Sequence, residues 1–194
     1  MSHFNLVYDR TFEDVVEAIR LNNLGWADMV ADEREAYLDG LKGSYTITDL
    51  NRVESAVNEI ANYLNALPGI IAEIIHESGI SPDPTTDVPY NYPFSLTVKM
   101  DWKFHEIPTV HDEPERVDLK RYLANIYNLA SRFVIEHELP DTMERLGYES
   151  ANEIERTLAA EYQAALDFLE AVKERVGRTV HSFIGCNEMG AGEI

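Results

Sequence analysis

The stretch Thr48–Leu67, TDLNRVESAVNEIANYLNAL, decides how this chain folds. Its apolar residues Leu50, Val53, Val57, Ile60, Leu64 and Leu67 recur at alternating steps of three and four. In an α-helix that spacing lines them along one stripe, with Asn51, Arg52, Glu54, Asn58, Glu59 and Asn65 elsewhere on the cylinder. Thr48 suits an N-cap and Pro68-Gly69 a break, so the stretch predicts a helix of about five turns that buries one side against partner helices.

On its N-terminal side, Phe4-Asn-Leu-Val-Tyr8 alternates and predicts a short strand or an extended arm. Thr11-Phe-Glu-Asp14 fits a capping box, and Phe12, Val15, Val16 and Ile19 supply the apolar face of a helix closed by Gly25. Trp26 falls in a short connection, and Asp32–Leu41 predicts a charged helix ending in Gly40 and Gly43.

On its C-terminal side, Ile70–Ser78 carries Ile70, Ile71, Ile74 and Ile75, a further helix face expected after a kink at Pro68. Residues 79–94 hold Pro82, Pro84, Pro89 and Pro93 and predict a linker or excursion. Ser95–Trp102 alternates Leu96, Val98, Met100 and Trp102, the pattern of a strand. Asp118–Glu138 returns to helical spacing through Leu119, Tyr122, Ile126, Leu129 and Phe133. After a break at Leu139–Met143, Ser150-Ala-Asn-Glu153 fits a second capping box. It opens the longest predicted helix, to about Gly177, through Ile154, Leu158, Tyr162, Ala165, Leu169, Val172 and Val176. Thr179–Cys186 predicts a last short strand before a frayed tail.

The expected fold is therefore mainly α: a helical bundle of about three long amphipathic helices plus shorter helices, with a few short peripheral strands. Residues 1–78 form an N-terminal helical unit, 79–94 a linker or excursion, 95–177 a second helical unit packed on the first, and 178–194 a tail.

Composition narrows the function. Acidic side chains number 35 against 16 basic, a net charge of −19. Such a surface repels nucleic acid and anionic membranes, whose phosphates require clustered Lys and Arg. It favours solubility, a complementary basic partner or divalent cations. A single cysteine, Cys186, excludes an intramolecular disulfide framework. The N-terminal segment lacks the form of a signal peptide and no apolar run reaches the length of a membrane span, so synthesis and folding in a cytoplasm are expected.

The two middle helices echo each other. DLNRVESAVNEIA from Asp49 and DLKRYLANIYNLA from Asp118 share Asp49/Asp118, Leu50/Leu119, Arg52/Arg121 and Ala61/Ala130. Amphipathic helices share hydrophobic spacing for no special reason, but the D-L-x-R opening says more. Asp sits where the helix dipole favours an anion, and Arg lies one turn on.

Catalytic signatures are sparse. His105, Glu106, His111, Asp112 and Glu113 form the most metal-like cluster, in ligand types suited to zinc or manganese. Pro108 and Pro114 make that segment a loop without helical His spacing, and a solvated loop is the reading adopted. Cys186 has His181 nearby but no acidic orienter. Phosphate-binding and nucleophile-elbow motifs are absent. No catalytic residue, metal site or cofactor is assigned. Tyr90 and Tyr92, within Val88–Phe94, suit either a binding epitope or a cover over apolar surface.

Four ordered pieces carry a resemblance: LVYDRTFEDV from Leu6, GLKGSYTITDLNRV from Gly40, DWKFHEIPT from Asp101 and LPDTMERLGYESANEIE from Leu139. Together the chain resembles tail and baseplate-region structural proteins of tailed bacteriophages and prophages of Gram-positive bacteria. The resemblance departs at Val88–Phe94 and His111–Glu115. It implies a virion structural or adaptor protein, not an enzyme, made in the host cytoplasm and incorporated into the tail region. Its expected partners are other virion proteins or further copies of itself, with no nucleic acid and no membrane. The residues expected to mark its interfaces or structural signature are Phe4, Leu6, Tyr8, Trp26, Asp49, Arg52, Tyr90, Tyr92, Trp102, Asp118, Arg121 and Phe183. Two other classes remain open: a metal-dependent hydrolase using the His105/His111 loop, and a free acidic regulatory or host-binding module.

Overall fold

The computed structural model describes residues 4–81, 95–103, 112–133, 136–144 and 146–188, with side chains as far as residue 179. Five helices follow in order: α1 (Phe12–Leu24), α2 (Ala31–Asp39), α3 (Ile47–Ser78), α4 (Arg116–Ala130) and α5 (Tyr148–Glu188). The last three pack on one another as a bundle.

α3 is the long element the hydrophobic spacing demands, but its ends differ from the expectation. Its N-cap is Thr46, not Thr48: the Thr46 hydroxyl accepts from the Thr48 amide at 3.3 Å, and Asp49 Oδ2 accepts from the Thr46 amide at 2.7 Å. An aspartate three residues on completes this box, and Thr48 has no such partner at that offset. Pro68 does not end the helix, which runs to a left-handed Gly79 with φ 69°. A helix-interior proline costs about 3 kcal/mol. Burial of Leu64, Leu67, Ile71 and Ile75 on one continuous stripe offsets that cost.

α5 starts at Tyr148, before the expected Ser150, and continues through Gly177 to Glu188. The strand expected over Thr179–Cys186 is therefore helix. α4 stops at Ala130 rather than Glu138, where Ser131–Phe133 turn away. The three stripes meet in one core containing Val53, Ile60, Leu64, Tyr122, Ile126, Leu129, Ile154 and Leu158.

α1 and α2 form a smaller hairpin with its own core of Ala18, Leu21, Met29 and Leu41, covered by Trp26 and Tyr37. The Thr11–Asp14 capping box forms as expected. The apolar face does not point as expected: Phe12, Val16 and Ile19 are 62%, 50% and 54% exposed. The chain's path sets this roll. Gly43 lies against the backbone of Asp14 and Val15, so close that a Cβ there would stand 1.9 Å from the Asp14 carbonyl oxygen. That approach turns the Asp14–Ala18–Leu21 side inward and Phe12, Val16 and Ile19 out.

No strand forms among the described residues, and two of the expected ones, Phe4–Tyr8 and Ser95–Trp102, are extended segments lying against helices. Their backbone groups pair with side chains instead of with another strand.

Candidate functional site

Two helices each hold an extended segment with the same device. On α5, Glu155 Oε2 accepts the Val7 amide at 2.6 Å. One turn earlier, Asn152 accepts the Arg10 amide at 2.9 Å and donates to the Arg10 carbonyl at 2.9 Å. On α3, Glu54 Oε2 accepts the Lys99 amide, while Asn51 accepts the Trp102 amide at 3.0 Å and donates to the Trp102 carbonyl at 2.8 Å. A primary amide offers one donor side and one acceptor side, as a neighbouring strand's peptide does. Each Asn-x-x-Glu turn thus serves an extended chain as a short substitute for a sheet edge.

The D-L-x-R openings complete both clamps. Asp49 and Asp118 each accept the amide of their helix's N-cap residue, Thr46 at 2.7 Å and Glu115 at 3.2 Å. Arg52 donates to Glu155 at 2.8 Å, and Arg121 pairs with Glu54 at 2.8 Å. Arg121 also reaches the Thr97 carbonyl at 2.6 Å, beside Asn125 at 2.9 Å.

The α5 clamp is the more deeply closed. Arg10 runs inward and donates to Asp49 at 2.8 Å and Glu155 at 2.7 Å, so two guanidinium groups meet two buried carboxylates. The Arg10 guanidinium lies 5.3 Å from the Tyr45 ring centre, and the Tyr45 hydroxyl shares a short hydrogen bond with Tyr122. Burial pushes both phenols up, helped by the Glu155 charge, so both stay neutral at ordinary pH. Burial works against the Arg52 charge, but Glu155 and Asp49 outweigh it and raise its pKa. With its ions paired and its faces packed, this cluster fastens the arm to α3 and α5.

One buried acid stands outside the clamps. Glu161 on α5 has no exposed surface, and among the described residues its carboxylate meets no ion-pair partner within 4 Å. Burial pushes its pKa up to about 8, against the weaker pull of the Phe133 backbone and the Arg132 charge.

The expected signature residues now have places. Asp49, Arg52, Asp118, Arg121 and Trp102 belong to the clamps, with Lys99 Nζ 3.6 Å over the Trp102 ring. Phe4 and Leu6 pack on the main core, Phe4 edge-on to Tyr162 at 5.0 Å. Tyr8 is 40% exposed, its carbonyl 3.4 Å from Arg156. Trp26 covers the hairpin core, edge-on to Tyr37 and stacked with Arg34. Tyr90, Tyr92 and the Phe183 side chain lie outside the described residues, as do His105, Glu106 and His111. Of the proposed metal loop, Asp112 is described and pairs with the Lys103 backbone at 2.9 Å in both directions. Among the described residues no group of three His, Cys, Asp or Glu side chains converges as a ligand set.

No family model matches the chain, and no characterised protein or solved structure is significantly similar to it.

Sequence reasoning missed Asn51, Glu54, Asn152, Glu155 and Arg10. The signal was present: Asn51-Arg-Val-Glu54 and Asn152-Glu-Ile-Glu155 repeat Asn, an aliphatic residue and Glu at the same offsets, each near the start of a long helix. It also missed that Phe12, Val16 and Ile19 face solvent.

Proposed function

We infer that this chain is a structural or adaptor component of a phage tail or baseplate and acts by binding other proteins rather than by catalysis. The observation that carries this reading is the solvent-facing stripe of α1. Phe12, Val16 and Ile19 fall at i, i+4 and i+7, on the side of the helix opposite the buried Leu21. Large apolar residues gathered on an exposed helix face mark a binding surface more often than single exposed ones do. The resemblance of the four ordered segments supplies the virion context. The buried ions support it in a second way, since each clamp spends its charged groups on fastening extended chain to helix. No helix among the described residues is long and apolar enough to cross a membrane.

Mass spectrometry of particles assembled in cells that express the chain with its neighbouring genes tests the reading. The chain should be present in stoichiometric amount. A Val16→Asp/Ile19→Asp variant should keep the parental melting temperature yet be missing from the particles. Absence of the parent chain, or incorporation of the variant at the parental level, overturns it.

A further inference from the structure

We propose that the solvent-facing stripe of α1 seats a basic amphipathic helix of a partner protein, one whose apolar face is bordered by lysines or arginines. The inference rests on the reading of that stripe as a binding surface and adds the chemistry of what binds there.

The first argument is where exposed apolar surface gathers. Of the nine large apolar side chains exposed among the described residues, seven lie between Tyr8 and Leu38. Phe12, Val16 and Ile19 form a ridge in that patch, about 10 Å long at the helical rise per residue. Such a ridge fits the groove between side-chain rows of a second helix. α1 is already closed at both ends, by the Thr11–Asp14 box and by the Gly25 amide on the Leu21 carbonyl. Ordering this side of the contact therefore adds no cost to binding.

The second argument is the charge around the stripe. Residues 11–39 carry eight acidic side chains and two basic ones, a more lopsided balance than the 35 against 16 of the whole chain. Both cations are engaged. Arg20 pairs with Glu17 at 2.7 Å and Glu33 at 2.6 Å, and Arg34 donates to the Trp26 and Ala27 carbonyls at 3.1 and 2.9 Å. Nearby, Lys42 pairs with Asp9 and Asp14, and Arg156 with Glu153. Glu13, Asp28, Asp32, Glu35 and Asp39 have no ion pair among the described residues. Beside Phe12 the acids reinforce one another: Glu149, with Glu13 adding to it, holds the Tyr148 phenol above its ordinary range.

An apolar ridge among unpaired carboxylates selects a partner whose own apolar face lies among cations. The same charge disfavours a second copy of this hairpin, and anionic lipid, because like charges would meet within a screening length of about 8 Å.

Three short fluorescein-labelled helical peptides test this against the full chain by fluorescence anisotropy. The first repeats leucine at i, i+4 and i+7 with lysine at the flanking positions. The second has glutamate in place of lysine, and the third alanine in place of leucine. The first should bind about tenfold more tightly than either of the others, and more weakly as salt is raised. Val16→Asp/Ile19→Asp should cut its affinity about tenfold, although two added carboxylates would strengthen a purely electrostatic attraction. Glu13→Gln/Glu17→Gln should weaken it severalfold and flatten the salt dependence. All four positions are exposed, and circular dichroism should show both variants melting with the parent. Equal binding of the first and third peptides, or tighter binding by the Val16→Asp/Ile19→Asp chain, would reduce the effect to general charge and overturn the proposal. So would flotation of the chain with neutral phosphatidylcholine vesicles that the Val16→Asp/Ile19→Asp variant abolishes, since the stripe would then be a membrane contact. Particle incorporation is read separately: a chain missing from particles that still prefers the basic peptide loses the virion reading and keeps this one.

Discussion

In the α3–α5 bundle the stripe Leu50–Val53–Val57–Ile60–Leu64–Leu67 is buried throughout, whereas in α1 the stripe Phe12–Val16–Ile19 stands in solvent and Ala18 and Leu21 take the inner side. Both helices have clear hydrophobic periodicity. The difference lies in their neighbours. α3 has α4 and α5 along one flank, so its widest apolar face finds cover. α1 is fixed by its ends, through the Arg10 clamp before it and the Gly43 approach beside it. Those attachments roll it so that Ala18 and Leu21 face the hairpin's own core. Periodicity reports which residues share a face, and the attachments decide whether that face is covered.

The largest test of this contrast is Leu64→Asp, which buries an unpaired charge in the bundle. It should cost more than about 4 kcal/mol and abolish cooperative melting by circular dichroism. A variant that melts with the parent would show that α3 does not pack as described.

Arg10→Ala tests the fastening between arm and bundle. It leaves Asp49 and Glu155 with a single cation between them, and a cost of about 3–5 kcal/mol is expected by urea unfolding. A loss below 1 kcal/mol (roughly the ceiling for an exposed pair) would make the cluster a surface feature.

Glu161 predicts a pH dependence. Its folded pKa of about 8 lies above its ordinary value of 4.5, so the unfolded chain gives up the proton first as pH rises. Its contribution is therefore fully present below pH 4.5 and declines until pH 8. Glu161→Gln should match the parent near pH 4 and exceed it at pH 8 by about 2–3 kcal/mol, allowing for relaxation around the ionised group. Parallel stability curves across that range would place the carboxyl in contact with water.

The smallest effect belongs to the hairpin. Val16→Asp should shift stability by no more than about 0.5 kcal/mol, since the side chain is already half in solvent. A loss of 2 kcal/mol or more would mean that the stripe is covered and would remove the contrast with α3.

The helices were legible because their signals are local. Spacing alone locates the stripes through Leu50, Ile126 and Ile154, and the Thr11–Asp14 box forms where its residues predict it. Where several local signals compete, the outcome shifts by a few residues: Thr46 rather than Thr48 caps α3, because Asp49 can reach back to only one of them. Pro68 reads as a stop only while the burial of Ile71 and Ile75 beyond it is unknown. Of the two readings open for Phe4–Tyr8 the extended arm is the one that forms, and the strand expected over Ser95–Trp102 does not form because Glu54 and Asn51 side chains satisfy its backbone.

Sequence by itself determined that this chain is helical, acidic and built around the Leu50–Leu67 face, because helix formation and composition depend on neighbours a turn apart. Only the tertiary structure decided the rest. Arg10 meets Asp49 and Glu155 across separations of 39 and 145 residues, and Arg121 meets Glu54 across 67. Nothing local ties those partners together. Their pairing follows from three packed helices bringing carboxylates into the interior, where leaving a charge unmatched is far more costly than it is at the surface.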